Sequence, residues 1–235
     1  MEHNMIISAP ENKIKNLPST HLWTQDELYE RKIIFAGMKQ RDVLNAYREL
    51  RIKLLEKSKT DNMVVLVSSV TDEEDSSNFS YNLAATFALD HKKTALYVDC
   101  NPYSHSALKY ITGSVKQGLT NYLIDSTMNL KDIIYPSGVE RVRVIPSGGS
   151  SEQAVEFFNS ERMAIFVAEI KYRYPDRFIV LDAPPVQQST EARILSRLCD
   201  HAFVVLPFGK ADINQTLSAV DAVGKDKFAG VVFSN

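Results

Sequence analysis

The 235-residue sequence predicts a doubly wound α/β protein whose mainly parallel sheet carries helices on both faces. Beyond about residue 60, short β-branched runs alternate with helical patterns, the rhythm of βαβ units with right-handed crossovers. Those runs are apolar throughout instead of alternating, as expected of strands covered on both sides. Two of them end in aspartate followed closely by proline, at the strand ends where such sheets bind ligands.

Residues 1–22 are polar, carry Pro10 and Pro18, and read as a mobile lead-in. A first helix opens at TQDELYE, with Thr24 as N-cap and acids in the first turn. A second follows in RDVLNAYRELRIKLLEK, where Val43, Leu44, Tyr47, Leu50, Leu54 and Leu55 recur at helical spacing. These helices occupy residues 23–60, and 61–235 form the α/β domain, with 23–235 expected to be one structural unit. The strand candidates are NMVVLVS, TALYVDC, VRVIPS, RFIVLDA, HAFVVLP and FAGVVFS. The helical candidates between them are SSNFSYNLAATFAL, a short GLTNYLI, SERMAIFVAEIKYRY, TEARILSRL and INQTLSAVDAV.

A hydrophobic content of 44% suffices for a sizeable core in one domain. The formal net charge of -2 gives no global field to attract nucleic acid or an anionic bilayer. Cys100 and Cys199 have no metal-binding or CxxC spacing, and a reducing cytosol is the natural reading. No apolar run approaches the roughly 20 residues of a membrane span, and the N-terminus has no signal-peptide pattern. The chain is therefore expected to be neither exported nor self-anchored. No histidine stands out as a base, and no GxSxG elbow is present.

The chemistry concentrates at three strand ends: the loop SSVTDEEDSSN, LYVDCNP with Asp99, and FIVLDAPP with Asp182. A strand-end aspartate can hold a magnesium shell in a nucleoside triphosphatase or simply cap the following loop; each position alone is compatible with both. The collinear set NAYRELRIKL, SSN…NLA, LYVDCNP, GLTNYLIDSTMNLKDII, VRVIPSGG, DRFIVLDAPPV, TEARILSRLCD and AFVVLPFGKADINQTLSAVDAV resembles the kinase domain of the bacterial tyrosine autokinases (BY-kinases) of capsule and exopolysaccharide export. These are deviant P-loop ATPases related to MinD and ParA, and the resemblance covers roughly residues 41–235. The lead-in, including RKIIFAGMKQRD, is most similar to variants found beside exosortase-type loci.

Active members of that family carry a loop like SxxPGEGKST before NLA. Counting back from Asn82 puts the lysine's register on Ser76, the two glycines on Asp75 and Glu73, and the proline on Asp72; Ser77 keeps a hydroxyl where the magnesium-binding residue stands. A phosphate cradle needs glycines so that backbone N–H groups converge, and a lysine to offset charge. This loop has neither. Like charges about 8 Å apart at an effective dielectric near 40 repel by roughly 1 kcal/mol, so several carboxylates oppose a polyphosphate by several kcal/mol.

Three readings of the acids Asp72, Glu73, Glu74 and Asp75 stay open: they complement the N-terminus of the next helix, they form a recess for a partner's Lys or Arg, or a divalent metal is held among Asp72, Glu73, Asp75, Asp99 and Asp182. The family's DxDxRxP signature reads Asn101 at its second acid, with Tyr103 and Ser104 near its basic position. The family's C-terminal tyrosine cluster is missing before the sequence ends at Asn235. In the family's subunit-contact helix Arg48 and Arg51 match, while Asn45 replaces a glutamate, which puts a closed homo-oligomeric ring in doubt.

The resemblance therefore implies a cytoplasmic pseudokinase that acts through protein contacts in exopolysaccharide or capsule assembly. Its expected partner is a membrane polysaccharide co-polymerase or an active kinase paralogue, reached at the inner membrane through that partner. The expected interaction residues are Arg48, Arg51 and Asp72 to Asp75; the degenerate nucleotide crevice comprises Ser76, Ser77, Asp99, Asn101 and Asp182. No cofactor, metal or nucleic acid is expected. The alternative is a weakly active tyrosine kinase or ATPase that uses ATP and Mg through a non-standard loop.

Overall fold

The computed structural model describes residues 21–58, 62–71, 76–149, 154–207 and 212–234. A single seven-stranded sheet has the order β3-β4-β2-β5-β1-β6-β7. Its strands are β1 (Val64–Ser69), β2 (Thr94–Asp99), β3 (Tyr135–Pro136), β4 (Val142–Ile145), β5 (Arg177–Ala183), β6 (His201–Pro207) and β7 (Phe228–Ser234). All pair in parallel except the two-residue β3, which runs antiparallel to β4. The six expected strands are all present. β3 was not expected, because Tyr135 and Pro136 become a strand only through pairing with Val144 and Arg143.

The helices are α1 (Gln25–Glu30), α2 (Arg41–Lys57), α3 (Ser77–Ala88), α4 (Leu119–Ile124), α5 (Ala154–Phe158), α6 (Glu161–Arg173), α7 (Glu191–Ser196) and α8 (Ile213–Val223), with 3-10 turns at Ser106–Tyr110 and Leu130–Ile133. Thr24 forms a capping box with Glu27, satisfying donors that an uncapped first turn leaves exposed. α5 is an addition to the expected set.

Every residue of β1, β2, β4 and β5 is buried, which is the reason their sequences are apolar without alternation. The sheet divides two cores. Leu66, Leu96, Ile145, Ile179 and Val204 face one, with Met163, Phe166 and Ile170 of α6. Val65, Tyr97, Val144, Val180 and Phe203 face the other, with Tyr81, Leu83 and Phe87 of α3. Leu28, Ile33 and Leu54 from the N-terminal helices join this second core. The expected apolar face of α2 is only partly buried: Leu44 and Leu54 are covered, whereas Val43 and Leu55 are exposed, because α2 packs chiefly on α3 along one side.

Asn82 pins the connector between α1 and α2. Asn82 Oδ1 accepts from the Ile34 N–H at 2.9 Å, and its Nδ2 donates to the Lys32 carbonyl at 2.8 Å. Lys32 adopts a left-handed φ of 55°. Trp23 lies on Gly138 so closely that a Cβ there would come within 1.9 Å of the indole. No helix among the described residues is long and apolar enough to cross a membrane.

Candidate functional site

The carboxyl ends of β1, β2 and β5 meet at one edge of the sheet. Asp99 and Asp182 are register partners across β2 and β5, and Ser68 of β1 is level with Ala183. Ser68 Oγ donates to the Pro184 carbonyl at 2.6 Å and the Val186 N–H donates to the Ser69 carbonyl at 2.9 Å, fastening the loop after β5 to the end of β1.

Asp182, only 4% exposed, is surrounded by hydroxyl donors. Ser76 and Ser80 donate to its Oδ1 at 3.1 and 2.7 Å, and Tyr97 donates to its Oδ2 at 2.7 Å. Ser76 and Ser80 sit one turn apart at the start of α3, so their side chains share a face. Tyr97 precedes Asp99 by two residues and therefore projects on the same side of the sheet. Burial first, then the charges of Asp182 and Asp99, push the Tyr97 phenol well above its ordinary range, so it stays a protonated donor.

Asp99 is fully buried and turns back on its own loop: Oδ1 accepts from the Asn101 N–H at 2.9 Å and Oδ2 from the Ala107 N–H at 3.1 Å. Asn101 Oδ1 accepts in turn from the Tyr103 N–H at 3.1 Å. The Tyr103 phenol donates to Glu191 Oε1 at 2.7 Å, linking the loop after β2 to the first turn of α7. These bonds frame a cavity of about 480 Å³ reached by Ser69, Ser76, Asn101, Tyr103, Asp182 and Gln188.

The structure thus brings Ser76, Asn101 and Asp182 to one cavity and places Asp99 beside them in the sheet. Ser77 is buried at the first position of α3 and does not line the cavity. Asp72, Glu73, Glu74 and Asp75 lie outside the described residues. Arg48 and Arg51 are remote on α2; Arg51 donates to the Thr86 carbonyl at 3.0 Å and so binds within the chain, and Arg48 is half-buried. Sequence reasoning missed Ser80, Tyr97 and Glu191. Ser80 was open to detection as the residue one turn beyond Ser76, whereas Tyr97 and Glu191 needed the strand order and the placement of α7.

No family model matches the chain. It is similar to the tyrosine-protein kinase CpsD of Streptococcus agalactiae serotype III, with 28% identity over 177 residues, 74% of this chain and 75% of that protein. It is also similar to the putative tyrosine-protein kinase CapB of Staphylococcus aureus, with 27% identity over 158 residues, 66% of each. Among solved structures, the kinase domain of Escherichia coli tyrosine kinase ETK superposes with a TM-score of 0.73 at 20% identity, covering 92% of this chain and 89% of that one. The cell-division ATPase MinD of Pyrococcus furiosus gives 0.60 at 17% identity, covering 73% and 70%. The fold is that of P-loop ATPases of the MinD/ParA type, and the sequence similarity runs to the tyrosine-kinase branch.

A magnesium nucleotide at such a crevice asks for a lysine on the phosphates, a strand-end carboxylate available to the metal's water shell, and a serine or threonine hydroxyl on the metal. Among the described residues these demands are not met together. Ser76 carries no charge and donates its hydroxyl to Asp182. That carboxylate also takes the hydroxyls of Ser80 and Tyr97. The donor set fits a protein-capped carboxylate better than a metal-nucleotide site.

Proposed function

Taking the chain as a domain of the bacterial tyrosine-autokinase type, we propose that it has lost phosphoryl transfer and acts as a cytoplasmic scaffold or regulatory partner in capsule or exopolysaccharide synthesis and export. The observation that carries this reading is the Ser76–Asp182 hydrogen bond at 3.1 Å, with Ser80 and Tyr97 completing the cap. The loop sequence TDEEDSS supports it independently, with no glycine or lysine where phosphates would sit. Calorimetric titration with millimolar Mg-ATP tests it: the expected result is no saturable heat, and saturable binding overturns the loss of function.

The relatives named CpsD and CapB, and a fold neighbour described as the chimerical protein CapA2B2, support placing the partner in a polysaccharide export machine, as a membrane co-polymerase or an intact kinase paralogue. The candidate contact residues are Arg48 on α2 and the acids Asp72 to Asp75. Arg51, already bonded to Thr86, makes a weaker candidate. Any homo-oligomer would lack the glutamate that Asn45 replaces. Affinity capture from the native host should enrich export-machine proteins; their absence from the captured set counts against the partner assignment.

A second reading keeps ATP and Mg through a non-standard loop. It is favoured by the cavity that reaches Asp182 and by relatives that are named tyrosine-protein kinases. The same titration decides between the two.

A further inference from the structure

We propose that the crevice binds a neutral polyhydroxylated small molecule of the sugar class in place of a nucleotide; this rests on the reading above, under which Mg-ATP gives no saturable binding. Apart from Ala183, Pro184 and Pro185, every side chain lining the cavity carries a hydroxyl, an amide or a carboxylate, and none is cationic. A phosphorylated ligand would face Asp182 with no lysine or arginine among the described lining residues to offset the repulsion. A ligand of hydroxyl groups meets no such opposition, because each hydroxyl both donates and accepts and can pair with the mixed lining.

Two groups are ready to bind. Ser69 Oγ and the Asn101 amide nitrogen make no hydrogen bond among the described residues, although both residues line the cavity. Asn101 is pre-oriented, since its Oδ1 is held by the Tyr103 N–H and its own N–H by Asp99. Tyr103 supplies a flat apolar surface on which the C–H face of a sugar ring can pack. Its phenol is anchored to Glu191, which is only 2% exposed, so the ring's position is set before any ligand arrives. A cavity of about 480 Å³ falls within the roughly 300–1,000 Å³ of small-molecule sites.

The experiment is calorimetry on the full chain with glucose, N-acetylglucosamine and glucuronate, each to tens of millimolar, with Mg-ATP as a separate arm. Saturable binding of at least one neutral sugar is expected, with glucuronate at least tenfold weaker. Asn101→Leu and, separately, Ser69→Ala should each weaken the neutral sugar at least tenfold while the thermal midpoint of the unliganded protein stays within a few degrees. If Asn101→Leu alone loses its fold, Ser69→Ala carries the test. No heat from either neutral sugar, equal or tighter binding of glucuronate, or affinity unchanged in the folded variants overturns the proposal. Saturable Mg-ATP binding instead overturns the functional reading beneath it, so the two failures are distinguishable.

Discussion

The Tyr97 phenol donates to Asp182 across neighbouring strands at 2.7 Å, from a side chain with no solvent exposure. A buried carboxylate is costly unless its lone pairs are met, and here hydroxyls from β2 and α3 meet them. The arrangement makes Asp182 part of the structure of the crevice floor and ties α3 to the middle of the sheet.

Removing one of those donors should therefore be expensive. Tyr97→Phe and Ser80→Ala are each expected to destabilise the fold by about 1.5–3 kcal/mol, the range for a hydrogen bond to a charged group. The double variant should depart from the sum, because both donors serve one carboxylate. Urea unfolding of the four species in a double-mutant cycle measures this; additive losses would show that the two bonds act independently.

Asn82→Ala should loosen the connector between α1 and α2. The substitution leaves the Ile34 N–H and the Lys32 carbonyl without their partner. A loss of about 1–3 kcal/mol is expected. Amide exchange should accelerate selectively over residues 31–38, and unchanged protection there would refute the assigned role of Asn82.

Gly138→Ala tests the Trp23 contact. Its Cβ would lie 1.9 Å from Trp23 Cδ2, so the indole must move. Overpacking of this kind costs about 1–3 kcal/mol. Because Trp23 is the single tryptophan of the chain, its fluorescence reports the displacement directly, with a red shift expected as the ring becomes more exposed.

Tyr47 gives an alkaline signature. Burial pushes its phenol up to about 12, outweighing the opposing hydrogen bond with Asn82. A raised folded-state pKa means that the unfolded chain releases its proton first, near pH 10, so the associated stability is complete below pH 10 and lost as pH rises toward 12. Stability measured from pH 9 to 11.5 should fall, and Tyr47→Phe should flatten part of the decline. An identical decline in the variant would assign it to other groups, such as the buried Tyr81 and Tyr97, whose phenols are also raised.

Grafting a phosphate cradle probes the crevice from the other direction. Replacing Asp72→Pro, Glu73→Gly, Asp75→Gly and Ser76→Lys together removes opposing charge and frees Asp182 from Ser76. Saturable Mg-ATP binding should emerge in this variant and be absent from the parent. Binding of equal strength in both would show that the natural loop is no barrier.

The sheet was open to sequence reading because its inner strands are covered on both sides and carry unbroken apolar runs, as β1, β2, β4, β5 and β6 do; β7, at the edge and only partly covered, keeps such a run as well. β3 was not, since two residues have no periodicity of their own and depend on β4 for their conformation. Asp99, Asn101, Ser76 and Asp182 were singled out by strand-end position and by resemblance to a known loop, and the structure brings Ser76, Asn101 and Asp182 to one cavity. The role of Asp182 was not, because its three hydroxyl donors come from separate stretches that only the strand order β2-β5-β1 and the packing of α3 bring together. Arg51 shows the converse limit: its place on α2 was evident, but its bond to Thr86 depended on how α2 crosses α3.

α3 starts from its N-cap Ser76, carries Ser80 and Asn82 in its first two turns and Thr86 near the other end, and its 12 residues make a rod about 18 Å long. Arg51 bonds α2 to the carbonyl of Thr86, on the same helix whose first turn meets Asp182, so a single regular element borders both the N-terminal helices and the floor of the crevice with no loop between.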